Sequence, residues 1–401
     1  MSKKVPPRKI ATRAVRAALA SDPHHGSVVP PIYMSANFAF EGYGKPRKYD
    51  YTRSGNPTRD QLAGALADLE GGVGAIVTCT GLAAVTLALA NLPAGACVIA
   101  PHDCYGGTYR LLAAWHAKGN LVVDFIDQSN PAELRAALKG GAKVVWIETP
   151  SNPLLRVVDI RAISDAAHAV GALVVVDNTF LSPVWQQPLA LGADLVLHST
   201  TKYLNGHSDV VGGALIAGNA DLHQNLSWWA NAIGVGGAPF DSFLTLRGVR
   251  SLHARMRVHG ENAAAVVEFL ARHPQVRRVY YPGIAGNPGH EIACRQQSGF
   301  GAMLSFELAA GEPGIEAFLT GLECFTLAES LGGVESLISH PASMSHAGIE
   351  ESARLRAGIG PGLLRVSVGI EDHEDLIADL NSGLERAAKA EPSPHRQRRA
   401  S

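Results

Sequence analysis

Two charged residues follow apolar runs that predict buried strands. Asp177 closes the run 173–176, and Lys202 comes shortly after the run 195–197. Parallel strands end at one edge of a sheet, which is where open α/β sheets bind their ligands. A single acid or lysine in such a place is more often a turn residue or a solvated side chain. Two of them, about one strand–helix–strand step apart, predict a shared site instead.

The neighbouring residues indicate a phosphorylated cofactor that reacts with an amine. Lys202 could form an imine with a cofactor aldehyde, and the Asp177 carboxylate could keep a pyridine nitrogen protonated. The hydroxyls of Ser199 and Thr201 suit a phosphate. Gly81 lies in a predicted strand–turn–helix stretch, where a backbone N–H at a helix N-terminus attracts an anion. These residue types together predict pyridoxal phosphate.

Other kinds of site find little support in the sequence. The glycine-rich segments 234–237 and 358–362 do not open a helix after a strand with dinucleotide spacing, which disfavours a dehydrogenase. The five scattered cysteines form no C-x-x-C pair, so we expect no metal site and no disulfide framework, and a reduced cytoplasmic compartment fits them best. A net charge of −1 gives no electrostatic reason for nucleic acid or a membrane as partner.

The order of patterns along the chain predicts an α/β protein. Residues 1–60 are rich in Pro and Gly and resemble an arm, whereas residues 61–257 alternate strands and amphipathic helices and predict a large cofactor-binding domain. Residues 258–390 predict a smaller C-terminal α/β domain, and 391–401 a disordered tail, for which a basic arm is the alternative. Seven continuous apolar runs predict a mainly parallel sheet, at 75–77, 97–100, 121–123, 144–147, 173–176, 195–197 and 214–216.

Six motifs resemble those of the trans-sulfuration (Cys/Met metabolism) enzymes, which are fold-type I pyridoxal-phosphate proteins. The resemblance covers about residues 11–388. The motifs are DYTRSGNPTR at 50–59, PHDCYGG at 101–107, ETPSNP at 148–153, VDNTF at 176–180, STTK at 199–202 and AESLGG at 328–333. Two departures are small: Leu82 replaces a more usual methionine after Gly81, and Ser345 replaces a common threonine.

The resemblance implies roles for individual residues. Lys202, Tyr105 and Asp177 are the implied catalytic residues: Lys202 anchors the cofactor, Tyr105 stacks on its ring, and Asp177 pairs with its nitrogen. The implied cofactor-binding set is Tyr51, Arg53, Gly81, Leu82, Tyr105, Asp177, Ser199, Thr201 and Lys202. The implied substrate-binding set is Asn152, Glu329, Ser330, Arg365 and Arg110. Since Tyr51 and Arg53 would reach a neighbouring subunit's site, the family implies a homo-oligomer, a tetramer with sites shared across a dimer.

The same resemblance narrows the reaction. Glu329 is similar to the acid of family members that act at Cγ and handle cystathionine. We therefore expect replacement of the acyl group of an O-acylated (succinyl) homoserine by L-cysteine, with γ-cleavage of cystathionine as the alternative. A catalytically inactive scaffold is a remote alternative, because such a protein would be expected to lack Lys202, Asp177 or Arg365.

Overall fold

The computed structural model describes residues 8–389, so the first seven residues of the predicted arm and the predicted tail lie outside the described residues. The strands of the described part, in chain order, are β1 (Gly74–Thr78), β2 (Ala96–Pro101), β3 (Leu121–Ile126), β4 (Val144–Glu148), β5 (Leu173–Asp177), β6 (Leu195–His198), β7 (Gly213–Ala217), β8 (Val276–Tyr280), β9 (Met303–Leu308), β10 (Thr326–Leu327), β11 (Leu337–Ser339) and β12 (Leu363–Ser367).

Helices cover and connect these strands. In chain order they are α1 (Ile10–Val15), α2 (Pro57–Glu70), α3 (Gly81–Leu89), α4 (Gly106–Ala117), α5 (Pro131–Leu138), α6 (Ile160–His168), α7 (Ser182–Trp185), α8 (Ala220–Ile233), α9 (Pro239–Arg272), α10 (His290–Gln296), α11 (Ile315–Leu319), α12 (Glu351–Arg356) and α13 (His373–Lys389).

The larger sheet has seven strands in the order β1-β7-β6-β5-β4-β2-β3. Only β7 runs against the others, pairing antiparallel with both β1 and β6. Buried side chains on both faces fill two apolar clusters, which explains why the strands read as continuous apolar runs. All seven predicted runs fall within β1 to β7, and the prediction of a mainly parallel sheet is confirmed. The carboxyl ends of β1, β2, β4, β5 and β6 lie at one edge.

A second sheet of five strands has the order β10-β11-β12-β9-β8. It is mainly antiparallel, and β12, at its centre, is buried along its whole length. The strands predicted at 303–308 and 364–368 and the helix predicted at 376–388 are present as β9, β12 and α13. The smaller C-terminal α/β unit is thereby confirmed as a second sheet with its own helices.

The long helix α9 connects the two sheets. Pro239 stands at its first turn, and the 34-residue helix continues through position 257, where the sequence predicts a domain boundary. The positions of the domain boundaries remain predictions. No helix among residues 8–389 is long and apolar enough to cross a membrane.

Candidate active site

A cavity of about 410 Å³ opens at the carboxyl edge of the larger sheet. Its wall combines strand ends of that sheet with residues of the second sheet. It is lined by Thr80, Gly81, Leu82, Val85, Tyr105, Thr108, Glu148, Pro150, Asn152, Asp177, Thr179, Phe180, Leu197, Ser199, Thr201, Lys202, Val211, Glu329, Ser330, Leu331, Ser345 and Arg365. Most of the predicted site residues are thus in one cavity.

Lys202 reaches across this cavity. Strand β6 ends at His198, and the turn that follows puts the Lys202 amine 2.6 Å from Ser330 Oγ, on the opposite wall. Burial and, to a smaller extent, the Arg365 guanidinium lower the pKa of Lys202 from 10.5 to about 8, against an opposing effect of Glu329. A lysine in this environment is deprotonated more readily than a solvated one, as a nucleophilic or basic amine requires.

Asp177 ends strand β5 and lines the same cavity. Its Oδ1 atom accepts a hydrogen bond of 3.0 Å from the backbone N–H of Thr179. Burial raises the pKa of Asp177, whereas the Thr179 hydrogen bonds and the charge of His198 lower it. A half-buried carboxylate at a strand end, open to a cavity, suits a protonated ring nitrogen.

The start of α3 forms a concave anion site. Thr80 caps the helix by accepting the Ala83 N–H through its Oγ1, at 2.9 Å. Among the described residues, no acceptor takes the N–H groups of Gly81 and Leu82, both of which belong to cavity-lining residues. A Cβ added at Gly81 would lie only 3.0 Å from the Ser199 Cβ, so glycine keeps this space open. Free N–H groups at a helix N-terminus bind phosphate.

These features fit pyridoxal phosphate. The structure offers an amine with a lowered pKa at Lys202, a carboxylate at Asp177 and two unpaired N–H donors beside the Ser199 hydroxyl. Tyr105, directly before α4, is 41% exposed and lines the cavity. The set matches the amine, ring-nitrogen and phosphate needs of that cofactor.

Arg365, on strand β12, lines the side of the cavity formed by the second sheet. Arg365 is 4% exposed, and its Nη1 donates to Asn152 Oδ1 at 3.0 Å while its Nη2 donates to the Ser330 carbonyl at 2.9 Å. Burial lowers the pKa of Arg365 to about 10, still well above neutrality. A guanidinium has five N–H donors, so Arg365 retains donors for a substrate carboxylate.

Ser330 connects the two walls. Its backbone has φ of +87°, a left-handed conformation that non-glycine residues rarely adopt. Its hydroxyl accepts from Lys202 and its carbonyl accepts from Arg365. Backbone strain at a position held from two sides is typical of ligand sites.

Three predicted site residues do not line this cavity. Tyr51 and Arg53 are exposed, and the Arg53 guanidinium bonds the carbonyl and side-chain oxygens of Asn231, both at 2.8 Å. Their role in a neighbouring subunit's site remains a prediction. Arg110 on α4 is exposed, yet close enough to Tyr105 to lower the pKa of its phenol, which burial raises.

The sequence analysis assigned no role to three cavity residues. Glu148 accepts the backbone N–H groups of Tyr105 at 2.8 Å and Asn152 at 3.0 Å. The Thr179 hydroxyl accepts the Ser199 N–H at 2.9 Å, and Ser345 closes the C-terminal wall. Glu148 could have been found, because it ends a predicted strand as Asp177 does.

A larger cavity, of about 780 Å³, lies elsewhere, lined mainly by residues 128–166 and 278–292. Its lining contains no residue of the six motifs, so size alone does not identify the site. Residues 8–389 hold no group of three or more His, Cys, Asp or Glu side chains arranged for a metal ion.

Comparison with known proteins agrees with this geometry. Residues 11–385 match the family model described as Cys/Met metabolism PLP-dependent enzyme. The chain is 57% identical to cystathionine gamma-synthase of Escherichia coli (strain K12), over 95% of this chain and 99% of that protein. It is 47% identical to cystathionine beta-lyase of Lactococcus lactis subsp. cremoris (strain MG1363), over 94% of this chain and 99% of the relative.

Solved structures show the same relationship. Cystathionine gamma synthase from Xanthomonas oryzae pv. oryzae, in complex with aminoacrylate and cysteine, superposes with a TM-score of 0.94 at 59% identity, covering 95% of this chain and 99% of that one. The cystathionine gamma-lyase from Lactobacillus plantarum, complexed with L-serine, superposes with a TM-score of 0.92 at 40% identity, covering 96% of this chain and 100% of that one.

Proposed function

The chain belongs to the family of Cys/Met metabolism PLP-dependent enzymes, and on that premise we propose that it is a cystathionine gamma-synthase. It joins an O-acylhomoserine, with succinyl as the expected acyl group, to L-cysteine and releases cystathionine and the free carboxylic acid. The observation that carries the proposal is the position of the Lys202 amine. It bonds Ser330, whose carbonyl accepts from Arg365, so the proton-moving group and the carboxylate-binding group share one residue.

Bound pyridoxal phosphate supplies an electron sink for charge that develops on the substrate carbons. Lys202 does the proton transfers. Its amine removes the Cα proton of the acylhomoserine and must release that proton before it takes one from Cβ, after which the acyloxy group leaves from Cγ as a carboxylate. Cysteine adds at Cγ as the thiolate, its proton having gone to solvent, and Lys202 then returns protons to Cβ and Cα. The lowered pKa of about 8 keeps a usable fraction of the Lys202 amine unprotonated near neutrality.

Arg365 and Asn152 orient the first substrate. The remaining guanidinium donors bind the α-carboxylate in a fixed plane, and the Asn152 amide fixes the guanidinium. Such orientation keeps the Cα–H bond beside the Lys202 amine. Glu329, on the same wall, is the group we assign to the ammonium of the distal amino acid.

A γ-lyase activity is the second candidate, since the cystathionine gamma-lyase from Lactobacillus plantarum is similar over 96% of this chain, at 40% identity. The two activities require the same residues. Incubation of the purified holoenzyme with O-succinylhomoserine plus L-cysteine, and separately with cystathionine, separates them. Formation of cystathionine in the first mixture supports the synthase. Consumption of cystathionine alone, with no reaction of the first mixture, assigns the lyase instead.

We also propose a homo-oligomer, a tetramer whose sites are completed across a dimer. The arm exposes large apolar side chains that a second copy would cover, among them Val28 at 70%, Met34 at 65% and Tyr43 at 107% exposure. Light scattering after size-exclusion chromatography tests the oligomer, and a monomer would contradict it.

We also propose a cytoplasmic location, because all five cysteines are free thiols.

A further inference from the structure

A short hydrogen-bond chain runs from the cavity into the protein at residues 345–346. The Ser345 Oγ lies 2.8 Å from Nδ1 of His346, and the Nε2 of His346 lies 3.1 Å from the carbonyl oxygen of Asn152. Ser345 lines the cavity and is half-buried, whereas His346 is fully buried. The hydrogen-bond chain therefore links the Ser345 hydroxyl in the cavity to Asn152, which bonds the Arg365 guanidinium.

Only one assignment of protons is consistent with this hydrogen-bond chain. A carbonyl oxygen can only accept, so His346 Nε2 must carry a hydrogen. Burial lowers the pKa of His346 to about 4, with the Arg365 charge adding to the shift, so the ring is neutral at pH 7. In a neutral ring the other nitrogen, Nδ1, has a lone pair and accepts. Ser345 must then donate its one hydroxyl hydrogen to His346.

That assignment fixes what Ser345 can offer a ligand. Its hydrogen is committed, so the lone pairs of Oγ are the only hydrogen-bonding capacity left for the cavity. A carboxylate would meet a second acceptor there, whereas an N–H donor would be bound. On this wall of the cavity Arg365 is the strong donor, and the other strong acceptor is Glu329.

We propose that Ser345 is a specificity-determining residue for the second substrate: its oxygen, oriented by His346, accepts a hydrogen bond from the ammonium group of the thiol amino acid. The inference rests on the proposed function and deepens it. An ammonium has three N–H donors, so a single carboxylate such as Glu329 leaves donors for Ser345. The pair thus selects a thiol that carries an α-ammonium over one that lacks it.

A proton relay through the same two residues is a weaker explanation. In a relay, the cysteine thiol would give its proton to Ser345 while Ser345 passes its own to His346 Nδ1. A thiol has an ordinary pKa of about 8.5. With a His346 pKa of about 4, the transfer would run uphill by about four pK units, so His346 acts as a fixed acceptor and Ser345 as a binding group.

The test compares two thiols in steady-state kinetics of the holoenzyme, with O-succinylhomoserine held saturating. L-Cysteine carries the ammonium, and 3-mercaptopropionate lacks it. For Ser345→Ala we expect the KM for L-cysteine to rise about 10- to 100-fold, the range for loss of a hydrogen bond to a charged group. We expect kcat and the KM for 3-mercaptopropionate to change less than about twofold, and likewise the KM for O-succinylhomoserine when that substrate is varied at saturating L-cysteine. If 3-mercaptopropionate is not turned over, its inhibition constant against L-cysteine gives the same comparison.

Two further variants serve as controls. Ser345→Thr keeps a hydroxyl and should keep the wild-type KM for L-cysteine. Ser343→Ala is the matched control, because the exposed Ser343 also bonds a histidine, His340 at 2.8 Å, but does not line the cavity. An unchanged KM for L-cysteine in Ser345→Ala, or an equal rise for both thiols, would overturn the inference. A wild-type enzyme that makes no cystathionine would instead overturn the proposed function.

Discussion

Glu148 and Asp177 stand side by side at the ends of the paired strands β4 and β5. Burial raises the pKa of Glu148 well above its ordinary value, and the Asp177 charge raises it further. Burial also raises the pKa of Asp177, but the Thr179 hydrogen bonds and the His198 charge lower it. Of the two carboxyls, Asp177 therefore ionises more readily, whereas Glu148 accepts the backbone N–H groups of Tyr105 and Asn152.

Replacing Glu148 by Gln tests that positioning role. The amide has one acceptor oxygen, so either the Tyr105 or the Asn152 N–H would face an NH2 group. An unsatisfied buried donor costs about 1–3 kcal/mol, and we expect pyridoxal phosphate to bind about tenfold more weakly. Absorbance titration of the apoenzyme measures this. Glu133→Gln is the control, because Glu133 is exposed and also accepts a backbone N–H, from Asp127. Equal affinity in the Glu148 and Glu133 variants would contradict the role.

Lys202→Met should stabilise the apoenzyme at neutral pH. The folded-state pKa of Lys202 lies near 8 against 10.5 when unfolded, so folding is penalised wherever the unfolded lysine is protonated. The penalty is fully present below pH 8, reaches about 3 kcal/mol, and disappears as pH rises towards 10.5. Thermal unfolding of both apoenzymes between pH 7 and 10.5 should show the advantage of the variant shrinking. A difference independent of pH would refute the assignment.

Mixing two inactive variants tests the predicted role of Arg53 in a neighbouring subunit's site. If Arg53 completes the site of a neighbouring subunit, Arg53→Ala and Lys202→Ala are each inactive alone, but mixed dimers contain one site with both residues intact. Co-refolding or co-expression at a 1:1 ratio should restore about a quarter of wild-type activity by random pairing. Mixtures that stay inactive would show that Arg53 and Lys202 of the same subunit belong to the same site.

Arg365→Lys should weaken binding of the first substrate. A lysine cannot reproduce the two bonds that Arg365 makes to Asn152 and Ser330 while binding a carboxylate in a plane. We expect the KM for O-succinylhomoserine to rise about 10-fold or more. Arg356→Lys, at an exposed position of α12, serves as the control. Unchanged KM values in Arg365→Lys would contradict the carboxylate role.

The buried pair of Glu70 and His198 should matter for stability. The two atoms lie 2.6 Å apart, and each side chain is 1% exposed. Leaving a buried donor without its acceptor costs about 1–3 kcal/mol, so Glu70→Leu, which removes the acceptor of His198 and Asn178, should lower the unfolding midpoint markedly. Glu268→Gln breaks the exposed pair with Arg272 and should cost less than about 1 kcal/mol. Similar midpoints for the two variants would show that the Glu70–His198 contact is not stabilising.

Much of the fold follows from local patterns. Buried strands leave continuous apolar runs, so β1 to β7 could be placed from the sequence, and Asp177 and Lys202 could be put at one sheet edge. Long-range partners leave no such local pattern. The contact of Lys202 with Ser330 joins residues 128 apart, and the bond of Arg365 to Asn152 joins residues 213 apart. The reversed direction of β7 and the His346 tautomer also depend on tertiary packing.

The composite wall of the cavity has a consequence for how new activities can arise. The cofactor-facing side chains come from strand ends of the larger sheet, whereas Glu329, Ser330, Ser345 and Arg365 come from the region of the second sheet, with Asn152 the main exception. Substitutions in the second region can therefore alter which amino acid is accepted and leave the reactive centre intact. Laboratory evolution of substrate range would gain most from libraries at residue 329 and residues 331–345, which spare Ser330 and its hydrogen bond to Lys202.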